Sequence, residues 1–159
     1  MFPTKILLAT DGSAEAAVAE DAAAELANGT GSELCVVHVV STAPELPYPH
    51  TTAKERSEAM LERRRLRGLA VLDARVRRIE SELGGTVAAS YYKEGKPEKE
   101  TVVLGEEIEA GLIVVGGKRR PWYERMFSGA GVAERVTRGA GRPVLVAAES
   151  QPRREAARR

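Results

Sequence analysis

The sequence predicts an α/β fold, a parallel sheet with helices on both faces. Short apolar runs alternate with helix-period segments along the chain, the pattern of strands joined by crossover helices. The runs are apolar on both sides, as strands buried on two faces require. At 159 residues, 43% of them hydrophobic and 30% charged, the chain suits one domain with one core.

The first run, Lys5-Ile6-Leu7-Leu8-Ala9-Thr10, ends at Asp11-Gly12-Ser13. Ser13 is expected to cap a helix starting at Ala14, with Glu15 near its positive end. Asn28-Gly29 is the expected left-handed stop of that helix. The second strand spans Leu34 to Val40, and Pro44, Pro47 and Pro49 make Ser41 to Thr52 a loop. From about Ala53 to Leu83 runs the longest helix pattern. Leu69, Leu72, Val76, Ile79 and Leu83 recur at spacings of three and four, one apolar stripe suited to docking on a sheet, with a coiled coil as the alternative. Arg63-Arg64-Arg65 reads as a solvated face, or alternatively as a phosphate or nucleic-acid patch.

Gly84-Gly85 ends that helix and Thr86 to Tyr92 form the third strand. Gly95-Lys96-Pro97 opens the next helix with proline in its first turn. The fourth strand, Leu112 to Val115, runs into Gly116-Gly117; a basic loop, a helix from about Ala130 to Arg138, and a last strand from Pro143 to Ala147 follow. Residues 1–148 therefore read as one domain. Residues 149–159, with Arg153, Arg154, Arg158 and Arg159, read as a basic, disordered, solubilising tail.

A net charge of +1 argues against a global grip on nucleic acid or a membrane surface. No apolar stretch approaches the ~20 residues of a spanning helix, and the opening run is too short for a signal peptide. A lone Cys35 cannot form an internal disulfide, which fits the cytoplasm. With His38 and His50 it is too little for a His/Cys metal cage.

Ligands of an open parallel sheet bind beyond the carboxyl ends of its strands, where connections leave toward opposite faces. Asp11-Gly12-Ser13, Val39-Val40 and Gly116-Gly117 all fall on that rim. Gly116 and Gly117 would let backbone approach a ligand, and Gly129-Ala130-Gly131 opens a helix whose N–H groups favour an anion. Lys118, Arg119, Arg120 and Arg125 between them suit phosphate; the competing reading is a glycine-rich surface loop with solvated charges. Asp11 either caps the first helix or contacts ribose hydroxyls or a phosphate-bound Mg²⁺. His38, inside an apolar strand, is expected to be buried and hydrogen-bonded. His50 has no visible partner; Trp122 and Tyr123 either stack on a base or cover the core or a subunit contact.

These segments resemble the universal stress protein family from Lys5 to Ala147. Ile6-Leu7-Leu8-Ala9-Thr10-Asp11-Gly12-Ser13 is similar to the family's first strand and turn, and Val37-His38-Val39 to the end of its second strand. Gly95-Lys96-Pro97 resembles its Gly-x-Pro before the third helix, Leu112-Ile113-Val114-Val115-Gly116 its fourth strand, and Gly141-Arg142-Pro143-Val144-Leu145-Val146 its closing segment. The resemblance implies a five-stranded sheet of order 3-2-1-4-5 and often a homodimer joined through the last strands. It also implies an adenine nucleotide, ATP or AMP, with Mg²⁺ possible beside Asp11. Thr10 and Asp11 would be nucleotide-binding residues, Asp11 meeting ribose or metal, and the Val39 backbone would read the adenine edge. The residues around the phosphates would be Gly116, Gly117, Lys118, Arg119, Gly129, Ala130, Gly131 and Val132, with N–H groups of Gly116, Gly117, Gly129 and Ala130 as the cradle.

ATP-binding members carry Gly, two residues, Gly, nine residues, then Gly-Ser or Gly-Thr. Counted from Gly116, Arg119 replaces the second glycine, Gly129 keeps the third, Ala130 replaces the hydroxyl residue, and Gly131 is extra. Counting from Gly117 places Arg120, Ala130 and Gly131 there instead. A lost hydroxyl removes one hydrogen bond to phosphate, roughly tenfold in affinity. The alternative reading is therefore a nucleotide-free dimeric interaction module of the same family. No paired carboxylates, nucleophile elbow or triad spacing stand out, so at most a slow ATP hydrolase is expected. A phosphoacceptor receiver domain is disfavoured: Tyr91-Tyr92 offers no acceptor aspartate and Ala147-Ala148 no lysine.

Overall fold

In the computed structural model, residues 2–42, 53–117 and 131–149 are described. The expectations for His50, for Lys118 to Ala130 including Trp122 and Tyr123, and for the arginine tail lie outside these residues.

Strands and helices alternate: β1 Lys5–Ala9, α1 Ala14–Thr30, β2 Glu33–Ser41, α2 Ala53–Ser81, β3 Val87–Gly95, α3 Pro97–Glu107, β4 Leu112–Gly116, α4 Val132–Gly139 and β5 Val144–Ala147. All neighbouring strands pair in parallel, in the order β3-β2-β1-β4-β5. β1 is central because Ile6, Leu7 and Leu8 are wholly apolar and wholly buried. Side chains alternate across a strand, so Ile6 and Leu8 pack under α1 and α2 with Ala19, Ala23 and Ile79. Leu7 faces the other layer, with Leu104 of α3 and Val136 of α4. Burying each such side chain contributes about 1.5–3 kcal/mol.

Several boundaries differ from expectation. α1 continues through Asn28-Gly29 to Thr30, where the Thr30 hydroxyl donates to the Leu26 carbonyl at 2.6 Å. Gly31, at φ 68°, takes the left-handed cap instead, and its N–H donates to the Ala27 carbonyl. β3 runs past Tyr92, pairing Lys93, Glu94 and Gly95 with Val39, Val40 and Ser41. As an edge strand it tolerates that charged end. α4 begins at Val132 with Gly131 as N-cap, two residues after the expected start. β5 begins at Val144, because Pro143 has no N–H for the ladder, although its carbonyl accepts from Ile113 at 3.0 Å.

The stripe on α2 is also displaced. Leu72 and Ile79 are buried as expected, but Leu69 is 38% exposed. Gly68 faces the sheet, where a β-carbon would sit 2.5 Å from the Tyr92 ring and 2.7 Å from Val40. A large residue on β3 has taken the space that a leucine on α2 would fill. Among the described residues no helix is long and apolar enough to cross a membrane.

Candidate functional site

β1 and β4 lie side by side, yet β1 feeds α1 on one face while the helix after β4, α4, lies on the other. This is the switch point at which open α/β sheets hold ligands. Among the described residues a cleft of about 870 Å³ opens there. Ala9, Val37 and Val115 form its floor, and Asp11, Val39, Gly116, Gly131, Thr137 and Val146 stand around it. Of the residues singled out from the sequence, Thr10, Asp11, Val39, Gly116, Gly117, Gly131 and Val132 meet at this one rim. Lys118, Arg119, Gly129 and Ala130 are outside the described residues.

The turn after β1 is held from within. The Asp11 carboxylate accepts from Ser13 N–H at 2.9 Å, and the Ser13 hydroxyl caps α1 by accepting from Ala16 N–H at 3.2 Å. Asp11 is thus a helix-turn residue first, with its exposed side toward the cleft. Thr10 is committed inward: its N–H donates to the Val37 carbonyl at 3.0 Å and its hydroxyl to Glu20 at 2.7 Å. His38 is buried, as expected, and its Nδ1 donates to the Thr10 carbonyl at 2.8 Å. Thr10 therefore shapes the rim and has no side-chain hydrogen left for a ligand.

The backbone of Val39 is differently placed. Val37 turns its carbonyl toward the β1 side, and groups two residues apart on a strand share a side. β1 stops at Ala9, opposite Val37. The N–H and C=O of Val39 accordingly face the gap beyond the end of β1.

The two glycines at the end of β4, Gly116 within it and Gly117 just beyond, have internal reasons to be glycine. A β-carbon on Gly116 would sit 2.6 Å from the Glu15 carbonyl oxygen, so its absence lets α1 close on the sheet. A β-carbon on Gly117 would collide with Val146. Gly117 N–H is also spent, donating to the Ala147 carbonyl at 2.8 Å. It cannot serve the phosphate cradle assigned to it.

Among the described residues the open donors lie on α4. Its first helical backbone bond runs from Arg135 N–H to the Gly131 carbonyl, and its N-cap glycine makes no side-chain cap. The N–H groups of Val132, Ala133 and Glu134 precede that bond and lack intrahelical acceptors. All three residues line the cleft. Pro97 and the buried Thr101 of α3 close another side.

The described walls carry Asp11, Glu15 and Glu134 against one cation, Arg138, which is paired with Glu134. Among the described residues no three His, Cys, Asp or Glu gather to hold a metal. A magnesium ion that keeps its waters and rides on phosphates needs only one or two carboxylates. The cleft volume lies within the ~300–1,000 Å³ of small-molecule sites. Cys35 is buried away from it, and burial, then Glu33, pushes its thiol up, an inert arrangement.

Several participants escaped the sequence reading. Thr101 and Thr137 each lie four residues after a cleft residue, Pro97 and Ala133, a helical spacing that could have shown them. Glu20 left no such signal. It is completely buried, and its second oxygen accepts from Arg78 of α2 at 2.7 Å, with Arg75 at 3.8 Å. Arg78 also donates to Asp21 at 2.7 Å, and that bond, opposed by desolvation and aided by Glu20, pushes its guanidinium pKa up.

Residues 3–148 match the universal stress protein family. Universal stress protein MJ0531 of Methanocaldococcus jannaschii is 30% identical over 151 residues, covering 95% of this chain and 84% of that protein. Universal stress protein YxiE of Bacillus subtilis is 31% identical, covering 89% of this chain and 97% of that one. A crystal structure of a universal stress protein family member from Burkholderia pseudomallei superposes with a TM-score of 0.65 at 30% identity, over 91% of this chain and 95% of that one. The Arabidopsis thaliana family protein with AMP bound superposes at 0.63 and 18% identity, over 93% of each chain. The Archaeoglobus fulgidus protein in complex with dAMP gives 0.58 at 24% identity, over 92% of this chain and 99% of that one.

Proposed function

The chain belongs to the universal stress protein family, and on that premise we propose that it is an adenine-nucleotide-binding protein of the stress response, holding AMP or ATP in the cleft at the carboxyl edge of the sheet. The observation that carries this reading is the start of α4, three N–H donors that no described residue caps, opening onto a cavity of nucleotide size. A helix N-terminus attracts anions because its donors and its dipole point the same way. The Val39 backbone edge offers one donor and one acceptor to a base, as adenine recognition needs. The dAMP and AMP complexes of relatives sharing the fold add support.

Phosphate would be met by α4 and by the cations that follow Gly117, Lys118 and Arg119, with Gly129 and Ala130 continuing toward Gly131. Magnesium, if present, would arrive with ATP and find the exposed side of Asp11. ATP carries more negative charge than AMP and Mg²⁺ offsets it, so binding of ATP should gain from Mg²⁺ more than binding of AMP does. The proposed role is binding, with at most slow hydrolysis of ATP.

Isothermal titration calorimetry with AMP, ADP and ATP, with and without Mg²⁺, tests the reading. Saturable binding in the micromolar range is expected; no saturable heat at millimolar nucleotide would refute it. The second, compatible reading is a homodimer through β5. That strand is an edge, and Leu145 and Val146 on it are 36% and 43% exposed.

A further inference from the structure

We propose that Glu20 is a positioning residue for the cleft, a buried carboxylate that ties the Thr10-Asp11-Gly12-Ser13 turn to α2 and so sets affinity for a nucleotide it never touches. The inference rests on the nucleotide reading of the cleft.

The buried face of α1 is otherwise made of alanines: Ala16, Ala19, Ala23, Ala24 and Ala27. Glu20 stands among them at 0% exposure. Packing alone would be served by an apolar residue, since a buried ion pair recovers its desolvation cost only with good geometry and full hydrogen bonding. Both oxygens of Glu20 are engaged, Oε1 with the Thr10 hydroxyl and Oε2 with Arg78. The polarity of this chain of bonds matters. An ionised carboxylate only accepts, so Glu20 takes the Thr10 hydroxyl hydrogen. Oγ1 of Thr10 is then turned to accept from Gly12 N–H at 3.3 Å. Gly12, at φ 77°, lies between Asp11 and Ser13, and a β-carbon there would be 3.1 Å from Val71. Arg78 of α2 therefore locates the turn through Glu20, and Val71 of the same helix stands where a side chain on Gly12 would go. Asp11 on that turn faces the cleft, and β1, which carries the turn, also sets the gap opposite Val39.

The test compares Thr10→Val, Thr10→Ser, Glu20→Gln and a control, Leu34→Val, which perturbs the buried core at the amino end of β2. Amide hydrogen exchange at Gly12 and Ser13 and calorimetric affinity for AMP are measured on each full-length variant. Thr10→Val and Glu20→Gln should speed exchange at both amides and weaken AMP binding, each about tenfold. Thr10→Ser, which keeps the hydroxyl, should restore both, and Leu34→Val should change neither. Unchanged exchange in Thr10→Val, or equal changes in Leu34→Val, overturns the proposal. So does faster exchange with wild-type affinity. If the unsubstituted protein binds no AMP, the nucleotide reading fails, and the exchange arm still decides whether Glu20 clamps the turn. Should Glu20→Gln fail to fold, the Thr10 pair decides.

Discussion

Among the single residues at the cleft, several have their polar groups or their space already spent inside the protein. Thr10, Gly116 and Gly117 all border the cleft, yet each is explained by contacts inside the protein. Gly116 gives the sharpest consequence, since a methyl there meets the backbone of α1 at 2.6 Å and backbone cannot swing away. Gly116→Ala should lose at least about 2 kcal/mol of stability in urea unfolding. A loss confined to nucleotide affinity, with unchanged stability, would mean that position serves the ligand after all. Local sequence made the Asp11-Gly12-Ser13 turn legible because cap and helix are adjacent in the chain. Glu20 was hidden because Arg78, which explains its burial, is 58 residues away.

The elements themselves were readable wherever periodicity met chain punctuation, as in β1, β4 and the proline start of α3. They misled where a partner across the structure decided. Leu69 looks like part of the α2 stripe, but Tyr92 on β3 leaves room only for Gly68. That same packing has a pH consequence. Burial, reinforced by a hydrogen bond to Glu94, pushes the Tyr92 phenol up from 10.0 to about 12. Between those values the unfolded chain sheds a proton that the native protein keeps, so the contribution of Tyr92 to stability is full below pH 10.0 and is lost as pH rises toward about 12. Tyr92→Phe should flatten that alkaline decline in urea unfolding series; an unchanged slope would place its cause elsewhere.

At the scale of the molecule, strand order puts β5 at one edge and β3 at the other, and it treats the two differently. β3 ends in charged Lys93 and Glu94, which discourage pairing, whereas β5 exposes Leu145 and Val146. Sedimentation should therefore find a dimer that Leu145→Lys reduces to monomers; a monomeric wild type would remove β5 as the contact. Val146 also lines the cleft, so a dimer through β5 would bring its partner next to the ligand. The sheet order was implied by family resemblance and the meeting of three chain reversals at one rim by the strand ends, while the part played by α3 and by the start of α4 needed coordinates.

The most direct measurement is an amide NMR titration with AMP. Shifts concentrated at Val39, Gly12, Val132, Ala133 and Glu134, saturating together with one affinity, are the predicted result. Saturable shifts that leave the start of α4 and the β2 edge untouched would contradict the account.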